Sequence, residues 1–312
     1  MKVIVVSGPT ACGKTKISID LAIKFNAEIV NFDSLLLYKE ISIGTAKPTR
    51  QEMSGVPHHM IDVATISDPL NASSYTLNAL PIVNDIHSRG KNVILTGGSG
   101  FYLQALLKGM YDSPTTPSHI SQRSDELYRT EGITPFLEIL KIEDINSFKR
   151  YHENDHYRIR RAVEHFWTHG TPLSELRENK DQENQQLAAG NIHGWDLLHI
   201  YLNIPRMEHG EIINTRTLQM LQSGLLDEVR SLLNAGFTGE EKPLQSIGYK
   251  ESLDYIKGEI TSVEELVERI NISTRQLAKS QRTWFNRDKE KFEFHPLSQR
   301  QEIFKKVSEF LK

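Results

Sequence analysis

The sequence has little cysteine and no long apolar run, and both scarcities exclude classes of protein. Its single cysteine, Cys12, excludes an internal disulfide, and no cluster of cysteine and histidine has the spacing of a zinc site. No apolar run approaches the roughly 20 residues needed to span a bilayer. The apolar start at residues 1–6 is too short for a signal peptide. We therefore expect a cytoplasmic protein without a membrane partner.

The sequence also lacks a strong net charge. It contains 37 lysines and arginines against 40 aspartates and glutamates, so its net charge is −3 and composition alone does not indicate a nucleic-acid-binding protein. Cations are nevertheless concentrated at residues 149–161 and 269–291. Each of these basic stretches is consistent with a solvated helix face. Each can also attract a polyanion locally, although a charge run without other support favours the solvated face.

Short apolar segments alternate with helical patterns in the N-terminal third of the chain. Residues 3–6, 27–32 and 93–95 have the composition of buried strands, and a helix is predicted to open at Gly13 or Lys14. Strands that alternate with helices in this way indicate an α/β fold with a parallel sheet. We predict a P-loop NTPase-like parallel sheet flanked by helices, with an inserted helical subdomain and a helical C-terminal region.

The domain boundaries follow from a change of pattern along the 312 residues, a length about twice that of a usual domain. Residues 118–195 look purely helical and more polar, and they interrupt the α/β pattern. We therefore predict a catalytic core formed by residues 1–117 and 196–312, with 118–195 as the insertion. The polar run 178–186 is interpreted as a mobile connection.

The helical C-terminal region contains one long predicted helix. Thr261 and Glu264 have the spacing of a capping box, and the helix is expected to run to about Phe285.

A phosphate-binding loop lies between the first strand and the first helix. Its eight residues match the pattern G-x-x-x-x-G-K-[ST]: Gly8, Pro9, Thr10, Ala11, Cys12, Gly13, Lys14 and Thr15. The backbone amides and the helix dipole attract an anion, and Lys14 adds a mobile positive charge. Thr15 can place its hydroxyl on Mg²⁺. The pattern indicates binding of a phosphate group, but by itself it does not identify a reaction.

Two further features follow predicted strands. Asp33 ends the second strand, at the edge where open α/β sheets bind ligands. It could serve a kinase as a Mg²⁺ ligand or base, serve an alkyl transferase as a base, or merely cap the strand. The loop 97–100, with Ser99, could face the same anion or form a plain tight turn.

Eight segments of the chain, in the same order, resemble the tRNA dimethylallyltransferases, also called tRNA isopentenyltransferases. The matching segments are Gly8-Pro9-Thr10-Ala11-Cys12-Gly13-Lys14-Thr15, Asp33-Ser34 with Tyr38, Ile43-Gly44-Thr45-Ala46-Lys47-Pro48, Pro57-His58-His59-Met60-Ile61-Asp62, Gly97-Gly98-Ser99-Gly100-Phe101-Tyr102, Asn154-Asp155 with Arg158, Arg161, Ala162 and Glu164, Ile247-Gly248-Tyr249-Lys250-Glu251, and Thr274-Arg275-Gln276-Leu277-Ala278-Lys279 with Gln281, Thr283 and Trp284. The resemblance covers essentially the whole chain. The segments 43–48 and 274–279 are far more discriminating than the P-loop.

The resemblance implies an enzyme that modifies tRNA by prenyl transfer. A dimethylallyl group would pass from dimethylallyl diphosphate to N6 of adenosine 37 in the anticodon loop. Asp33 matches the general base of the family, Ser99 matches a threonine near the reacting region, and Lys14 would act on the leaving group. The diphosphate would be bound by the P-loop, residues 8–15, and by Arg216. Mg²⁺ would be the cofactor, held by Thr15.

The resemblance also implies which residues contact the tRNA anticodon arm. They are Ser34, Leu35, Leu36, Tyr38, Arg158, Arg161, Arg275, Gln276 and Lys279. The chain departs from the usual family residue at Cys12, Leu36, Ile212 and Ser280. We expect the protein to act as a monomer.

Two other functions remain open at this stage. An adenylate isopentenyltransferase shares the P-loop fold and prenylates a free nucleotide, although it should not need the arginine-bearing helical insertion. A small-molecule P-loop kinase would use Lys14 to bind ATP. His58 and His59 invite a metal site, but without a third ligand at useful spacing we interpret them as structural.

Overall fold

The computed structural model describes residues 1–109, 116–186 and 191–312. Its six strands form one sheet in the order β3-β2-β4-β1-β5-β6, and all five strand pairs are parallel. The strands are β1 (Lys2–Ser7), β2 (Ala27–Asn31), β3 (His58–His59), β4 (Asn92–Gly97), β5 (Asp196–Leu202) and β6 (Phe292–Phe294). This architecture confirms the predicted α/β fold with a parallel sheet.

The central strands are almost continuously apolar because helices cover both faces of the sheet. Val3 to Val6 of β1 are at most 1% exposed, as expected where parallel strands have no solvent face. The edge strands β3 and β6 were not predicted, since two and three residues are too short to show a period. The first helices are α1 (Lys14–Lys24), α2 (Ala72–Ser88) and α3 (Gly100–Lys108).

Five helices follow in the next part of the chain. They are α4 (Ser118–Glu131), α5 (Thr134–Glu143), α6 (Ile145–Arg150), α7 (His156–His169) and α8 (Leu173–Gln186). They have a hydrophobic core of their own, formed by Phe136, Leu140, Ile159, Ala162, Val163 and Leu173.

Helix α8 contradicts the prediction of a mobile connection at residues 178–186. The prediction was wrong because the run contains Glu, Lys and Gln, which are good helix formers, and has no Gly or Pro. The start of the helix is also anchored. Leu173 is buried, and the Ser174 amide donates to Asp144 Oδ2 at 3.1 Å.

The chain ends in five more helices, with a short 3₁₀ turn at Lys242–Gln245. The helices are α9 (Arg206–Gln222), α10 (Leu225–Asn234), α11 (Tyr249–Ile256), α12 (Val263–Phe285) and α13 (Arg300–Leu311). The predicted end of α12 is confirmed. Its N-cap is Ser262, which accepts from the Glu265 amide at 3.1 Å, so the predicted capping box at Thr261 and Glu264 was wrong by one residue.

The chain divides into two compact units. The α/β unit comprises Met1–Leu106 with Gly194–Lys312, and the helical unit comprises Leu107–His193. The predicted boundaries at 118 and 195 lie near these bounds, although residues 187–190 of the predicted insertion lie outside the described residues. Their separate functions stay a prediction. Throughout the described ranges, no helix combines the length and apolarity that crossing a bilayer requires.

Candidate active site

The P-loop connects β1 to α1 through a tightly turned backbone. Ala11 and Gly13 have positive φ values of 61° and 82°. Gly8 is required by close approach, since a Cβ at this position would overlap the Leu202 carbonyl oxygen and lie 2.7 Å from Cys12 Sγ. Lys14 Nζ donates to the carbonyls of Gly8 at 3.1 Å and Pro9 at 2.8 Å. These two bonds hold the Lys14 ammonium group against the backbone of the P-loop.

A pocket of about 530 Å³ joins the P-loop to α9. It is lined by Ala11, Cys12, Gly13, Lys14, Thr15, Glu211, Ile212, Thr215, Arg216 and Gln219. Residues 11–15 of the P-loop and Arg216, all predicted to bind diphosphate, thus line the same pocket. Arg216 lies about 200 positions later in the chain. Cys12 is buried, and burial raises the pKa of its thiol. The neutral thiol leaves the positive charges of the lining to Lys14 and Arg216, and the lining also includes the carboxylate of Glu211.

Arg216 carries the second positive charge of this pocket. Burial lowers the pKa of its guanidinium, and the charge of Asp33 acts in the opposite direction. A guanidinium remains protonated under such a shift because its ordinary pKa lies above 12. Its Nη2 also lies 3.4 Å from the Thr45 carbonyl oxygen, a long hydrogen bond. Arg216 is thus a half-buried cation, and the charge of the predicted base favours its protonated form.

Asp33 lies two residues after the end of β2 and is held by the Asn31 side chain and the Leu35 amide. Its amide donates to Asn31 Oδ1 at 2.9 Å, and Asn31 Nδ2 donates back to the Asp33 carbonyl at 3.0 Å. One carboxylate oxygen, Oδ1, accepts from the Leu35 amide at 3.2 Å. The other, Oδ2, would lie 3.6 Å from a Cβ placed on Gly98. The carboxylate of Asp33 therefore lies beside the second glycine loop.

Ser99 ties the second glycine loop to the segment after β2. Its Oγ accepts from the Ser34 amide at 3.0 Å and donates to Ser34 Oγ at 3.2 Å. Ser99 is thus bonded to the residue that follows Asp33, at the carboxyl ends of β2 and β4. This is the edge at which α/β sheets place their ligands.

The glycines of this loop are explained by close packing, since none of them has a positive φ. A Cβ on Gly97 would lie 2.6 Å from the Phe32 ring, and one on Gly98 would lie 2.5 Å from Gln281 Nε2. A Cβ on Gly100 would overlap the ring of Trp284. Two of the three neighbours belong to α12, which therefore packs directly against the loop.

Sequence reasoning missed Gln281 as a site residue. Its Oε1 accepts from the Thr10 amide of the P-loop at 2.7 Å, and its Nε2 donates to the Gly98 carbonyl at 3.0 Å. Gln281 stands in the C-terminal segment that resembles the family, but nothing in a linear pattern shows that one amide joins two loops.

Sequence reasoning also missed His209 and Arg282. His209 Nε2 lies 2.8 Å from the Thr10 carbonyl, and Arg282 Nη2 lies 2.7 Å from His209 Nδ1. The guanidinium can only donate, so Nδ1 accepts and the proton of the neutral ring is on Nε2. No sequence signal marked His209.

A chain of hydrogen bonds also supports the residue that precedes the P-loop. Ser7 Oγ lies 2.6 Å from His199 Nε2, and His199 Nδ1 lies 2.5 Å from Asp288 Oδ2. The hydrogen bond from His199 lowers the pKa of Asp288. Ser7 is fully buried, so this serine, histidine and aspartate fix the entry to the loop and do not form a nucleophile open to substrate.

Two of the segments that resemble the family, 43–48 and 247–251, are held by one glutamate. The Glu228 carboxylate accepts from the amides of Ser42 and Ile43 at 3.0–3.1 Å, and it also accepts from the Tyr249 hydroxyl at 2.5 Å. Gly44 has no space for a Cβ, which would overlap the Tyr249 ring. The glycine of one segment is therefore explained by the tyrosine of the other.

The residues predicted to contact tRNA differ in exposure. Arg275, Gln276 and Lys279 are exposed on α12, and Arg275 Nη2 lies 2.8 Å from Glu268 Oε1. Ser34, Leu35 and Leu36 are half-buried. Tyr38 is only 6% exposed, which leaves little of its surface for an RNA.

The predicted contacts of the helical unit lie on α7. Arg158 is exposed and pairs with Asp155, whose carboxylate also accepts from the Arg158 amide and so caps the helix. Arg161 is half-buried and lies 3.7 Å from Glu164.

His58 and His59 have structural partners in the sheet. His59 Nε2 lies 2.7 Å from Glu28 Oε2, and His58 Nδ1 lies 2.8 Å from the Val56 carbonyl. Burial lowers the pKa of His58. Among the residues that the structure describes, no group of three or more His, Cys, Asp or Glu is placed to hold a metal ion.

Comparisons with known proteins find similarity to tRNA-prenylating enzymes along most of the chain. A family model described as IPP transferase matches residues 36–288. A curated relative named tRNA dimethylallyltransferase 2, from Geotalea uraniireducens, is 40% identical over 288 residues, which cover 92% of this chain and 90% of the relative.

Solved structures show the same likeness. A full-length tRNA isopentenylpyrophosphate transferase from Bacillus halodurans matches with a TM-score of 0.71 and 30% identity, covering 99% of this chain and 96% of that one. A eukaryotic dimethylallyltransferase acting on tRNA matches with a TM-score of 0.80 and 28% identity, covering 99% and 79% of the two chains.

Proposed function

The chain belongs to the IPP transferase family, and from this premise we propose its reaction. It transfers a dimethylallyl group from dimethylallyl diphosphate to N6 of adenosine 37 in the tRNA anticodon loop, and it releases diphosphate. The observation that carries the proposal is the pocket in which the P-loop and Arg216 meet, with the charge of Asp33 acting on Arg216. Two cations for a diphosphate leaving group and a nearby carboxylate for the nucleophile fit this reaction.

The two cations act on the leaving group. The bond between the dimethylallyl carbon and the diphosphate oxygen breaks as the bond from that carbon to N6 forms. Negative charge therefore grows on the diphosphate in the transition state. Lys14, Arg216 and the P-loop amides stabilise that growing charge more than they stabilise the ground state, which is the condition for an increase in rate.

Asp33 acts on the nucleophile. The lone pair of an adenine amine is delocalised into the ring, so the amine attacks effectively only as it loses a proton. The proton passes from N6 to the carboxylate of Asp33, whose Oδ1 is already held by the Leu35 amide. A base in such a fixed position typically contributes about 10²–10⁴ in rate. Ser99, bonded to Ser34, helps to hold the surrounding loop.

Mg²⁺ fits the donor chemistry of the pocket. Thr15 lines it with a hydroxyl at the start of α1, and the diphosphate would bring its own oxygens. Mg²⁺ prefers hard oxygen ligands and keeps several waters, so one protein hydroxyl is sufficient. When bound, the ion would supply additional neutralisation of the diphosphate charge.

Side chains of α12 and α7, together with the segment 34–36, supply the contact with tRNA. We assign this role to Arg275, Gln276 and Lys279 on α12, to Arg158 and Arg161 on α7, and to the segment 34–36. RNA is read mostly where bases are unstacked, and enzymes that modify a base usually extrude it. Because this substrate is cytoplasmic, we expect a cytoplasmic enzyme, and we expect it to act as a monomer.

The test is a direct assay with labelled dimethylallyl diphosphate. The purified protein is incubated with bulk tRNA or with AMP, and the modified nucleoside is identified by mass spectrometry. We expect label in tRNA as N6-dimethylallyladenosine. Label in AMP but not in tRNA would instead support an adenylate isopentenyltransferase. ATP-dependent phosphorylation of a metabolite without prenyl transfer would support a kinase.

A further inference from the structure

Gln281 joins two loops that are far apart in sequence. Its Oε1 accepts from the Thr10 amide at 2.7 Å, 271 residues away, and its Nε2 donates to the Gly98 carbonyl at 3.0 Å, 183 residues away. One partner is a donor and the other is an acceptor, so the carboxamide satisfies both in only one orientation. Neither glutamate nor a hydrocarbon side chain of similar length can make this pair of bonds.

The second loop is shaped around this side chain. A Cβ on Gly98 would lie 2.5 Å from Gln281 Nε2 and would displace the end of that side chain. Three residues further along α12, Trp284 occupies the space beside Gly100. Both contacts fix the loop that carries Ser99 against the same face of α12.

The P-loop is held from its other side through the same helix. Thr10 receives a hydrogen bond at its carbonyl from His209 Nε2, and His209 is oriented by Arg282, the residue after Gln281. Arg282 is anchored in turn by the Ile204 carbonyl and by Asn203 Oδ1, both at 3.2 Å. The Thr10 amide is therefore held by Gln281 of α12, and the Thr10 carbonyl is held by His209 of α9, which Arg282 of α12 orients.

We propose that Gln281 is a positioning residue of the transfer reaction, and that it sets the distance between the P-loop and the loop that carries Ser99. This inference rests on the proposed function. The P-loop holds the diphosphate that leaves, and the second loop lies beside Asp33, which receives the proton. In a displacement reaction these two groups must be aligned at the same moment, and a misplacement of about 1 Å can cost on the order of 100-fold in rate.

The first test compares two substitutions of Gln281 with a matched control. Gln281→Glu keeps the shape but places a carboxylate oxygen against the Gly98 carbonyl, and Gln281→Met keeps the length without either hydrogen bond. We expect kcat to fall about 10- to 100-fold in both, with the KM for tRNA within about twofold of wild type. Gln301→Glu, at an exposed position of α13, makes the same chemical change and should keep wild-type kcat.

The second test is a double-mutant cycle between Gln281 and Gly98. Gly98→Ala should displace the Gln281 side chain and lower kcat about as much as Gln281→Ala does. The double variant should then be no slower than either single variant, because both changes remove the same bridge. Multiplied effects would show independent roles and overturn the proposal.

The remaining outcomes are also decisive. Wild-type kcat in Gln281→Met would overturn the positioning role, and so would a raised KM for tRNA with kcat unchanged. If either Gln281 variant fails to fold, the other variant and the cycle still decide the question. Failure of the proposed function itself is distinguishable, because in that case the wild-type protein transfers no dimethylallyl group to tRNA.

Discussion

At the scale of single residues, Asp33 is the acidic side chain whose surroundings fit a base. The Asn31 side chain bonds both the amide and the carbonyl of Asp33. One oxygen of the Asp33 carboxylate accepts a hydrogen bond from the Leu35 amide. Its charge also acts on Arg216, which lines the P-loop pocket. Loss of the carboxylate should therefore affect the chemical step more than substrate binding.

We predict that Asp33→Asn lowers turnover by about 10² or more while tRNA binding is retained. The asparagine preserves size and one acceptor oxygen, but it cannot receive the proton from N6. Single-turnover kinetics and tRNA binding should be measured together, with Asp68→Asn, at an exposed position, as the control. Near-normal turnover would remove the role of Asp33 as base.

His209 gives the P-loop a dependence on pH. Burial lowers the pKa of His209, and the charges of Arg282 and Lys14 act in the same direction, against the hydrogen bond to Thr10. The unfolded chain, whose histidine has an ordinary pKa of about 6.5, therefore binds a proton more readily than the folded protein. Stability contributed by His209 is present above pH 7 and is lost as the pH falls below about 6.5.

We predict that His209→Gln weakens this loss of stability at acid pH. Glutamine can accept from Arg282 and donate to the Thr10 carbonyl, and it does not titrate. The melting temperature should be followed from pH 7.5 to pH 5, with His87→Gln, exposed on α2, as the control. An equally steep fall in His209→Gln and wild type would contradict the assignment.

At the scale of elements, α12 organises the catalytic edge of the sheet. One face of this 23-residue helix places Gln281 and Trp284 against the glycine loop, while Arg275, Gln276 and Lys279 remain exposed. The glycines are thus a consequence of helix packing. Glycine lowers stability because it loses more backbone entropy on folding than other residues. It is used here because a larger residue would leave too little space for the helix.

We predict opposite effects of alanine at two glycines. Gly100→Ala should destabilise the protein by about 1–3 kcal/mol, because its Cβ would overlap the Trp284 ring. Gly210→Ala lies inside α9, where nothing is within 4 Å of the new Cβ, and should stabilise by about 0.5–1 kcal/mol. Urea unfolding of the two variants measures both effects. Equal effects would mean that helix packing does not dictate Gly100.

At the scale of the whole molecule, charge must be placed locally because the net charge is −3. A polyanion such as tRNA is then attracted by exposed clusters of cations and not by the protein as a whole. Each cation that neutralises a phosphate releases counterions, which makes binding depend on salt.

We predict that reversing Arg275 and Lys279 to glutamate weakens tRNA binding and flattens its salt dependence by roughly two phosphate contacts. The affinity should be measured at several salt concentrations. Lys305→Glu with Lys312→Glu changes the net charge equally at exposed positions near the C-terminus and serves as the control. If the salt dependence of tRNA affinity is unchanged in the Arg275 and Lys279 variant, the basic face of α12 is merely solvated and does not contact tRNA.

The sequence by itself determined the features that depend on neighbours along the chain. The P-loop was predictable because its glycines, lysine and threonine act within eight consecutive residues that follow a strand. The central strands were predictable because burial on both faces gives continuous apolar runs. The position of Asp33 followed from the end of β2, and the long helix α12 followed from its spacing.

Only the tertiary structure decided how these parts meet. Arg216 enters the P-loop pocket through α9, and Gln281 reaches Thr10 across 271 residues. It also decided that Tyr38 is buried, and that Gly98 and Gly100 make room for α12. The physical reason is that these contacts join side chains and backbone groups whose proximity is set by packing, and packing leaves no periodic or local trace in the sequence.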